Sequence, residues 1–404
     1  MRSFLSQKLA LAVFVAHQIL TALASYHATR AGVGGSAFQA ATGRSEAYDA
    51  FRRLHGREGA HDPVDYETRL RRFEENAAEV SRLNSRSGAS WVAVVNRFAD
   101  YTPGERRALL GYRGPSSRRV DTAPAPSSFL EARERHITVA DSMDWRSRVT
   151  DYVHDQGACG SCWAVAAVGA LEMHAELSGK KPVNPLSFEQ VVDCVENPKH
   201  CGGSGGCDGA TAELAFDYVA KYGVMEASAY TGGYMGTGAN SFKCPSSAIQ
   251  SARPAVRTGG FKRLPVNKVA PLLEVVSSTG PAVVSVDATQ WGLYGMGVFN
   301  QCGRNATVNH AVLLVGYGHS AKHKMDYWLI RNSWGAKWGE NGYIRLQRHE
   351  KDAGEAGYCG MDPDSKQGVG CDGDPKEIPV CGMCGVLSDT SYPTDVTALH
   401  GEEA

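Results

Sequence analysis

The cysteine content constrains the fold of this chain more than any other feature of the sequence. Eleven cysteines occur among 404 residues, more than a cytosolic protein usually carries, so we expect an oxidising compartment in which disulfide bonds persist. An odd number leaves at least one thiol unpaired and allows five bonds at most. At roughly 100–200 residues per domain, the length allows two or three folding units.

Residues 1–24 have the features of a secretory signal peptide. Arg2 and Lys8 precede an apolar run, and Ala22-Leu23-Ala24 offers a small-residue cleavage site. A retained membrane anchor is the alternative, but polar residues interrupt the run, which falls short of the ~20 residues that a span needs. The sequence therefore predicts a product of the secretory pathway, with a lysosomal, vacuolar or extracellular destination.

The net charge of −1 conceals two halves of opposite sign. Residues 25–138 carry 18 Arg, no Lys and 14 acidic residues, a net charge of +4, whereas residues 139–404 carry 22 basic and 29 acidic residues, a net charge of −7. Opposite charges favour association, so we expect the first half to dock on the second. Two unrelated domains are the alternative. The nearly neutral total also argues against a nucleic-acid-binding protein.

An amphipathic helix is predicted within residues 62–84, where apolar residues recur at spacings of three and four. The helix and the stretch after it carry, at fixed spacings, Asp65, Arg69, Phe73, Asn76, Val80, Asn84, Val94, Asn96, Phe98 and Asp100. This pattern resembles the inhibitory propeptide of papain-like cysteine proteases. The family has Glu, Ile and Gly where Asp65, Val80 and Val94 stand. An unrelated amphipathic helix is the alternative.

This resemblance implies a division of the chain into a signal peptide (residues 1–24), an inhibitory propeptide (residues 25–138) and a peptidase domain (residues 139–404). In the family, the distal part of the propeptide crosses the active-site cleft backwards and is removed on activation. Residues 111–128 are rich in Pro, Ser and Arg, which predicts an exposed, protease-sensitive stretch.

One motif supplies the candidate nucleophile. Cys159-Gly160-Ser161-Cys162-Trp163 precedes a run of small apolar residues that ends near Gly179, so Cys162 is predicted to begin a helix. The positive end of the helix dipole favours thiolate, the nucleophilic form of cysteine, at such a position. The motif matches that of papain and the cathepsins. A redox Cys-x-x-Cys or half of a zinc site is the alternative.

The same resemblance implies the remaining catalytic residues. His310 stands immediately before a strand-like apolar run; it would accept the Cys162 proton and later protonate the leaving amine. Asn332 would orient the imidazole, and Trp334 would cover their hydrogen bond from water. Gln156 would donate to the oxyanion together with the Cys162 backbone N–H.

The implied fold class is α+β. The papain-like fold has two subdomains with a cleft between them, a helical one that carries Cys162 and a β-barrel-like one, preceded by a helical prodomain. Strand-like stretches are predicted at residues 281–286, 311–318, 327–331 and 342–347.

The implied function is that of a cysteine endopeptidase for proteins and peptides, made as a zymogen that its own propeptide inhibits. We expect a monomer with no cofactor, metal, nucleic-acid or membrane partner. We also expect acidic pH to trigger activation, because protonated carboxylates attract the Arg-rich propeptide less. The alternative is a catalytically inactive relative that binds or inhibits other proteins through its propeptide.

The resemblance also pairs most of the cysteines: Cys159 with Cys207, Cys194 with Cys244, and Cys302 with Cys384. It leaves four without assigned partners: Cys201, Cys359, Cys371 and Cys381. The sequence does not choose among their three possible pairings. A structural zinc site built from Cys359, Cys371, Cys381 and Cys384 is the alternative. Asn305 opens an Asn-Ala-Thr sequence, which predicts N-glycosylation.

Finally, the resemblance places five residues around the pocket for the side chain two positions before the cut: Thr211, Ala212, Val308, Ala311 and Asp389. Ala210 stands where the family usually has a glycine that pairs backbone-to-backbone with the substrate. An ionised Asp389 at the floor would pair with Arg or Lys, while the other walls accept Leu or Phe. A dual hydrophobic and basic preference is therefore expected. The alternative is that Asp389 points to solvent.

Overall fold

The computed structural model describes residues 37–57, 64–112, 139–179, 183–231, 244, 253–350 and 357–399. The predicted signal peptide lies outside the described residues, as does most of the predicted protease-sensitive stretch. Within the described ranges, no helix is long and apolar enough to cross a membrane.

Seven α-helices and thirteen strands fall within the described part of the chain. The helices are α1 (Ala37–Leu54), α2 (Tyr66–Asn84), α3 (Pro103–Ala108), α4 (Cys162–Gly179), α5 (Phe188–Cys194), α6 (Ala212–Tyr222) and α7 (Val269–Ser278). The strands are β1 (Trp91–Ala93), β2 (Met143–Asp144), β3 (Val256–Arg257), β4 (Gly260–Arg263), β5 (Ala282–Val286), β6 (Tyr294–Phe299), β7 (His310–Ser320), β8 (Met325–Arg331), β9 (Tyr343–Gln347), β10 (Gly360–Asp362), β11 (Ile378–Val380), β12 (Thr390–Thr394) and β13 (Thr397–Ala398). The mixed content agrees with the α+β class.

The first of two compact units comprises Met1–Glu79 and Ala99–Thr102. Its described core consists of aromatic rings from α1 and α2. The ring centroid of Phe73 lies 5.4 Å from that of Tyr48 and 5.0 Å from that of Phe51. The predicted amphipathic helix therefore exists as α2, and Phe73 lies on its buried face.

The propeptide-like residues on α2 bind the backbone at the end of the same pattern, at Ala99 and Asp100. Arg69 donates to the Asp100 carbonyl at 3.2 Å, and Asn76 donates to the Ala99 carbonyl at 2.6 Å. The buried Asp100 carboxylate accepts a hydrogen bond from the Tyr48 hydroxyl at 3.1 Å. Polar side chains at fixed helical spacing thus hold the returning chain, which explains why the pattern carries Arg and Asn on a helix face.

The second unit comprises Val80–Phe98 and Pro103–Ala404 and contains the main sheet. Eight strands lie in the order β1-β6-β9-β8-β7-β5-β12-β4, and β2 pairs with β7 as the ninth strand. All four strand-like stretches predicted from the sequence are present, as β5, β7, β8 and β9. Two small sheets, β3 with β13 and β10 with β11, lie outside the main one.

Helix α4 is the central helix of this unit. As predicted, it begins at Cys162, and residues 162–176 are all buried. A Cβ on Gly169 would overlap the guanidinium of Arg331, so only glycine lets this strand residue lie against the helix. Arg331 then pairs with Asp151 at 3.3 Å and lies 3.9 Å from Glu172 on α4. A buried charged contact thus fixes the helix against the sheet.

The second unit contains five disulfide bonds: Cys159–Cys207, Cys194–Cys244, Cys201–Cys371, Cys302–Cys384 and Cys359–Cys381. The three bonds that the resemblance implied are present, and the other two answer the pairing that the sequence left open. Because every cysteine of the alternative zinc site is in a disulfide bond, that alternative is wrong. Among the described residues, Cys162 is the free thiol.

Candidate active site

The start of α4 holds the candidate nucleophile. The sulfur of Cys162 is fully buried and accepts a hydrogen bond from the Ala311 backbone N–H at 3.2 Å. Burial raises the pKa of Cys162 to about 12, and hydrogen bonds from the amides of Ala311, Gly111 and Trp163 only partly oppose this effect. In this state, burial opposes the helix-start effect that the sequence predicted and favours the neutral thiol.

The candidate base lies beside the nucleophile. His310 opens β7, adjacent to Ala311, and its Nε2 lies 2.8 Å from Oδ1 of Asn332, just after β8. A bond to this amide oxygen requires the proton on Nε2, which leaves the lone pair on Nδ1. Nδ1 has no hydrogen-bond partner among the described residues. Burial lowers the pKa of His310 to about 4, although the bond to Asn332 acts in the opposite direction.

Two tryptophans pack against the imidazole, and a third packs against them. The ring centroid of Trp334 lies 5.1 Å from that of His310, and Trp291 stands edge-on to the imidazole at 6.5 Å. Trp338 packs edge-on against Trp334 at 5.1 Å. Trp291 and Trp338 were not predicted, although the four-residue spacing between Trp334 and Trp338 was a visible signal. The apolar enclosure keeps water away from the bond to Asn332, which strengthens it.

Gln156 presents its amide beside the nucleophile. Its Nε2 donates to the backbone carbonyls of Leu109 at 3.0 Å and Cys159 at 2.7 Å. The Ser333 hydroxyl donates to its Oε1 and fixes the orientation of the amide. Leu109 belongs to residues 80–98 and 103–112 of the second unit, called here the leading segment. A carbonyl oxygen of this segment therefore lies where Gln156 would bind a developing oxyanion.

The leading segment crosses directly over Cys162. A Cβ on Gly111 would overlap the Cys162 sulfur and lie 2.8 Å from the Gly160 carbonyl oxygen. The next residue, Tyr112, donates its backbone N–H to the Asn309 carbonyl at 3.1 Å. Its hydroxyl lies 3.0 Å from Oγ of Ser285. The segment thus covers the nucleophile and inserts an aromatic side chain next to it.

Ser285 connects this aromatic side chain to the predicted pocket floor. Its hydroxyl donates to the Asp389 carboxylate at 2.6 Å, and the Asp389 side chain is half-buried. Burial, followed by the charge of Glu213, raises the pKa of Asp389 well above its ordinary value, although Arg263 and Ser285 oppose the shift. Nε of Arg263 lies 3.5 Å from the Glu213 carboxylate. The sequence did not predict Ser285, Glu213 or Arg263, which come from three separate elements.

The other predicted substrate-binding residues are all buried. One buried apolar cluster includes Tyr112, Ala210, Ala212 and Ala311. Val308 lies in a neighbouring cluster with Ala306 and Val380. Thr211 is buried immediately before α6. Tyr112, from the leading segment, thus shares its apolar cluster with three of these residues.

Asn305, the predicted glycosylation residue, lies in an exposed bend. Its Oδ1 accepts a hydrogen bond from the Met361 backbone N–H at 3.0 Å. Glycosylation there stays a prediction.

An ion pair and an aromatic contact also attach the leading segment beside the site. Arg97 forms a two-point contact with Asp155 at 2.5 and 2.9 Å. Burial tends to raise the pKa of Asp155, but the hydrogen bonds and charge of Arg97 and the Gly157 amide outweigh it, so the pKa is lowered. The ring of Phe98 packs edge-on against Trp334 at 5.5 Å.

Comparison with known proteins agrees with this geometry. The family model described as papain family cysteine protease matches residues 139–368. Cysteine protease 1 of Oryza sativa is 35% identical over 332 residues, which span 78% of this chain but only 62% of that relative, less than two thirds of its length. Cathepsin S of Rattus norvegicus is 34% identical, with 72% of this chain and 89% of the relative covered. The solved structure of digestive procathepsin L 3 from the Tenebrio molitor larval midgut matches with a TM-score of 0.64 and 28% identity, covering 87% of this chain and 99% of that one.

Proposed function

Because the chain belongs to the papain family of cysteine proteases, we propose that it is an endopeptidase zymogen in which Cys162, His310 and Asn332 carry out the hydrolysis. The observation that carries this proposal is the bond from His310 Nε2 to Asn332 at 2.8 Å. It leaves Nδ1 as the available base, one residue from the amide that contacts the Cys162 sulfur.

In the proposed reaction, Nδ1 of His310 accepts the Cys162 proton, and the thiolate attacks the carbonyl carbon of the scissile amide. The oxyanion accepts hydrogen bonds from Nε2 of Gln156 and from the Cys162 backbone N–H. The imidazolium then protonates the leaving amine, which leaves a thioester on Cys162. Water, deprotonated by His310, hydrolyses the thioester and restores the thiol.

We assign residues 25–138 to an inhibitory propeptide and residues 139–404 to the peptidase domain. The contacts of the leading segment support inhibition. Gly111 is in close contact with the Cys162 sulfur, and the Leu109 carbonyl accepts the hydrogen bond that Gln156 Nε2 would give to the oxyanion. The neutral thiol and neutral imidazole of this state form no ion pair, so the nucleophile is inactive until the segment leaves.

We further propose that acidic pH promotes the release of the leading segment. The Arg97–Asp155 ion pair supports this idea, and the pKa of Asp155 sets the pH below which the pair is lost. Pairing with Arg97 lowers the pKa of Asp155. The ion pair therefore stabilises the docked segment fully at any pH above the ordinary pKa of a carboxyl group. The contribution is lost only as the pH falls through that lowered pKa.

For the pocket, we propose acceptance of hydrophobic, aromatic and, with rising pH, basic side chains two positions before the cut. Tyr112 supports the aromatic preference because it reaches Ser285 from the leading segment. Arg263 already pairs with Glu213, so an ionised Asp389 is the carboxylate available to a substrate cation. We also propose a lysosomal, vacuolar or extracellular destination, which the five disulfide bonds support.

Peptide hydrolysis by the enzyme released from the full-length chain tests the catalytic assignment. Cys162→Ser and His310→Ala should each abolish hydrolysis of a dipeptidyl Leu-Arg substrate. The matched control is His319→Ala, an exposed histidine on the same strand that pairs with Asp326. Full activity in either catalytic variant, or equal loss in the control, would contradict the assignment.

A further inference from the structure

A disulfide-bonded insertion, residues 357–382 and called here the strap, is attached to the β-rich wall of the cleft. The Met361 carbonyl accepts the Ala306 N–H at 3.2 Å, and the Asp362 carboxylate accepts the Val308 N–H at 3.0 Å. A Cβ on Gly368 would overlap the Val308 carbonyl oxygen, so the two backbones are in direct contact. Cys359 and Cys381 bond the two ends of the strap to each other.

The same strap is attached to the helical wall of the cleft. Cys371 forms a disulfide bond with Cys201, in the loop between α5 and α6. The Gly370 carbonyl accepts the Gly202 N–H at 3.1 Å, and the Asp372 N–H donates to the Lys199 carbonyl at 2.8 Å. Both walls are therefore held by one short piece of chain.

The crossing itself is four residues long. From Gly368 to Cys371, an extended backbone spans at most about 10 Å. Val369, between them, packs against the apolar cluster that contains Tyr112 and also against the one that contains Val308. The strap thus bridges the two walls.

The bridge lies where the leading segment leaves the pocket. Tyr112 donates its N–H to Asn309, the neighbour of the strap anchor Val308. On the other wall, a Cβ on Gly202 would lie 2.7 Å from the Tyr112 ring, and Gly202 is itself bonded to the strap. Because Gly111 contacts the nucleophile and Tyr112 contacts strap-bonded Gly202, a substrate residue bound one position further from the nucleophile would face the strap.

We propose that the strap forms the outer wall of the subsite for the third residue before the cut and excludes bulky side chains from it. This inference rests on the proposed function of the site and adds a specificity element to it. Cys201–Cys371 is the bond that fixes the wall, because it ties the crossing residues to the helical side.

The test compares three acetylated fluorogenic substrates on the enzyme released from the full-length chain: Leu-Arg, Gly-Leu-Arg and Trp-Leu-Arg amides. For the wild type, we expect kcat/KM for the Gly peptide to exceed that for the Trp peptide by about tenfold or more, as for a sterically restricted pocket. In the double variant Cys201→Ser/Cys371→Ser, this ratio should fall several-fold while Leu-Arg hydrolysis is retained.

The matched control is Cys359→Ser/Cys381→Ser, which removes the other strap bond and keeps the tie to Cys201; its ratio should stay near that of the wild type. Hydrogen exchange at the Gly202 and Asp372 amides reports whether the strap has been released. Equal hydrolysis of the Gly and Trp peptides by the wild type would overturn the proposal. An unchanged Gly-to-Trp ratio in Cys201→Ser/Cys371→Ser would also overturn it, provided that the Gly202 and Asp372 amides exchange freely in that variant. Failure of the wild type to cleave Leu-Arg would instead contradict the proposed function, so the two failures are distinguishable.

Discussion

At the scale of single residues, burial is the main cause of the pKa shifts in the proposed catalytic pair. The pKa of Cys162 is raised to about 12 and that of His310 is lowered to about 4, both because they are desolvated. Between these values, the thiol and the imidazole are both neutral. Removal of the leading segment exposes both groups, so the thiol pKa should fall and the imidazole pKa should rise toward an ion pair.

Asn332→Ala should impair catalysis without weakening substrate binding. The variant removes the hydrogen bond that fixes the His310 tautomer. A hydrogen bond in a buried site contributes about 1–2 kcal/mol, so kcat should fall by about five- to thirtyfold with KM little changed. Steady-state kinetics on the released enzyme measure this. A variant that loses affinity and keeps kcat would show that Asn332 acts on substrate binding instead.

Asp389 should make the pocket preference depend on pH. Its pKa is raised, chiefly by burial, so its ionised fraction increases as the pH rises through a range above that of an ordinary carboxyl group. The ratio of Arg-Arg to Leu-Arg hydrolysis should therefore increase between about pH 4 and about pH 7. Asp389→Ala should give a low, flat ratio. Undiminished Arg-Arg cleavage by this variant would contradict the role.

The candidate site divides into residues that the sequence could predict and residues that it could not. Cys162, His310 and Asn332 stand within local motifs that mark them. Ser285 and Arg263 lie on β5 and β4, without a local motif, and reach Asp389 only because the sheet order brings those strands beside β12. Tertiary pairing, not local pattern, creates the pocket floor.

At the scale of elements, the leading segment is a strand, a turn and a short helix whose backbone covers the site. Strand β1 pairs with β6 at the edge of the main sheet, and residues 109–112 then cross the nucleophile. The sequence predicted helix α2 from its periodicity. It did not predict β1, because three residues carry too little pattern to indicate a strand.

Gly111→Ala should release this segment from the nucleophile. The added Cβ would overlap the Cys162 sulfur and crowd the Gly160 carbonyl, so the segment must move away. Alkylation of Cys162 in the unprocessed chain should become several-fold faster. Gly43→Ala is the matched control, because a Cβ there has nothing within 4 Å. Equal alkylation rates in Gly111→Ala and the wild type would show that the segment does not protect the thiol.

Arg97→Gln should allow processing at higher pH. The change removes the charge that lowers the pKa of Asp155. Because the pair is partly exposed, its contribution is about 0.2–1 kcal/mol, which corresponds to at most about fivefold faster processing at a given pH. Arg86→Gln is the control, since the Arg86 guanidinium donates to the neutral amide of Gln301 at 2.8 Å. An unchanged pH profile for Arg97→Gln would exclude this pair from the acid response.

At the scale of the whole molecule, the propeptide-like motif and the nucleophile motif were predictable because each has a characteristic spacing. Three disulfide bonds were predictable only because the resemblance to papain-like proteases implies them. The two strap bonds were not, since four remaining cysteines allow three pairings and sequence spacing does not select among them. The fold selects one: Cys201–Cys371 joins residues 170 positions apart, a separation that only tertiary structure brings together.

Covalent labelling of Cys162 by a thiol-reactive epoxysuccinyl probe reports both the nucleophile and its inhibition by the propeptide. The full-length chain is treated at neutral pH and after acid processing, and the labelled residue is identified by mass spectrometry, with Cys162→Ser as the control. We expect labelling of Cys162 after processing, little before it, and none in the control. A processed, folded chain that takes up no probe at Cys162 would contradict the assignment of this site as a protease active site.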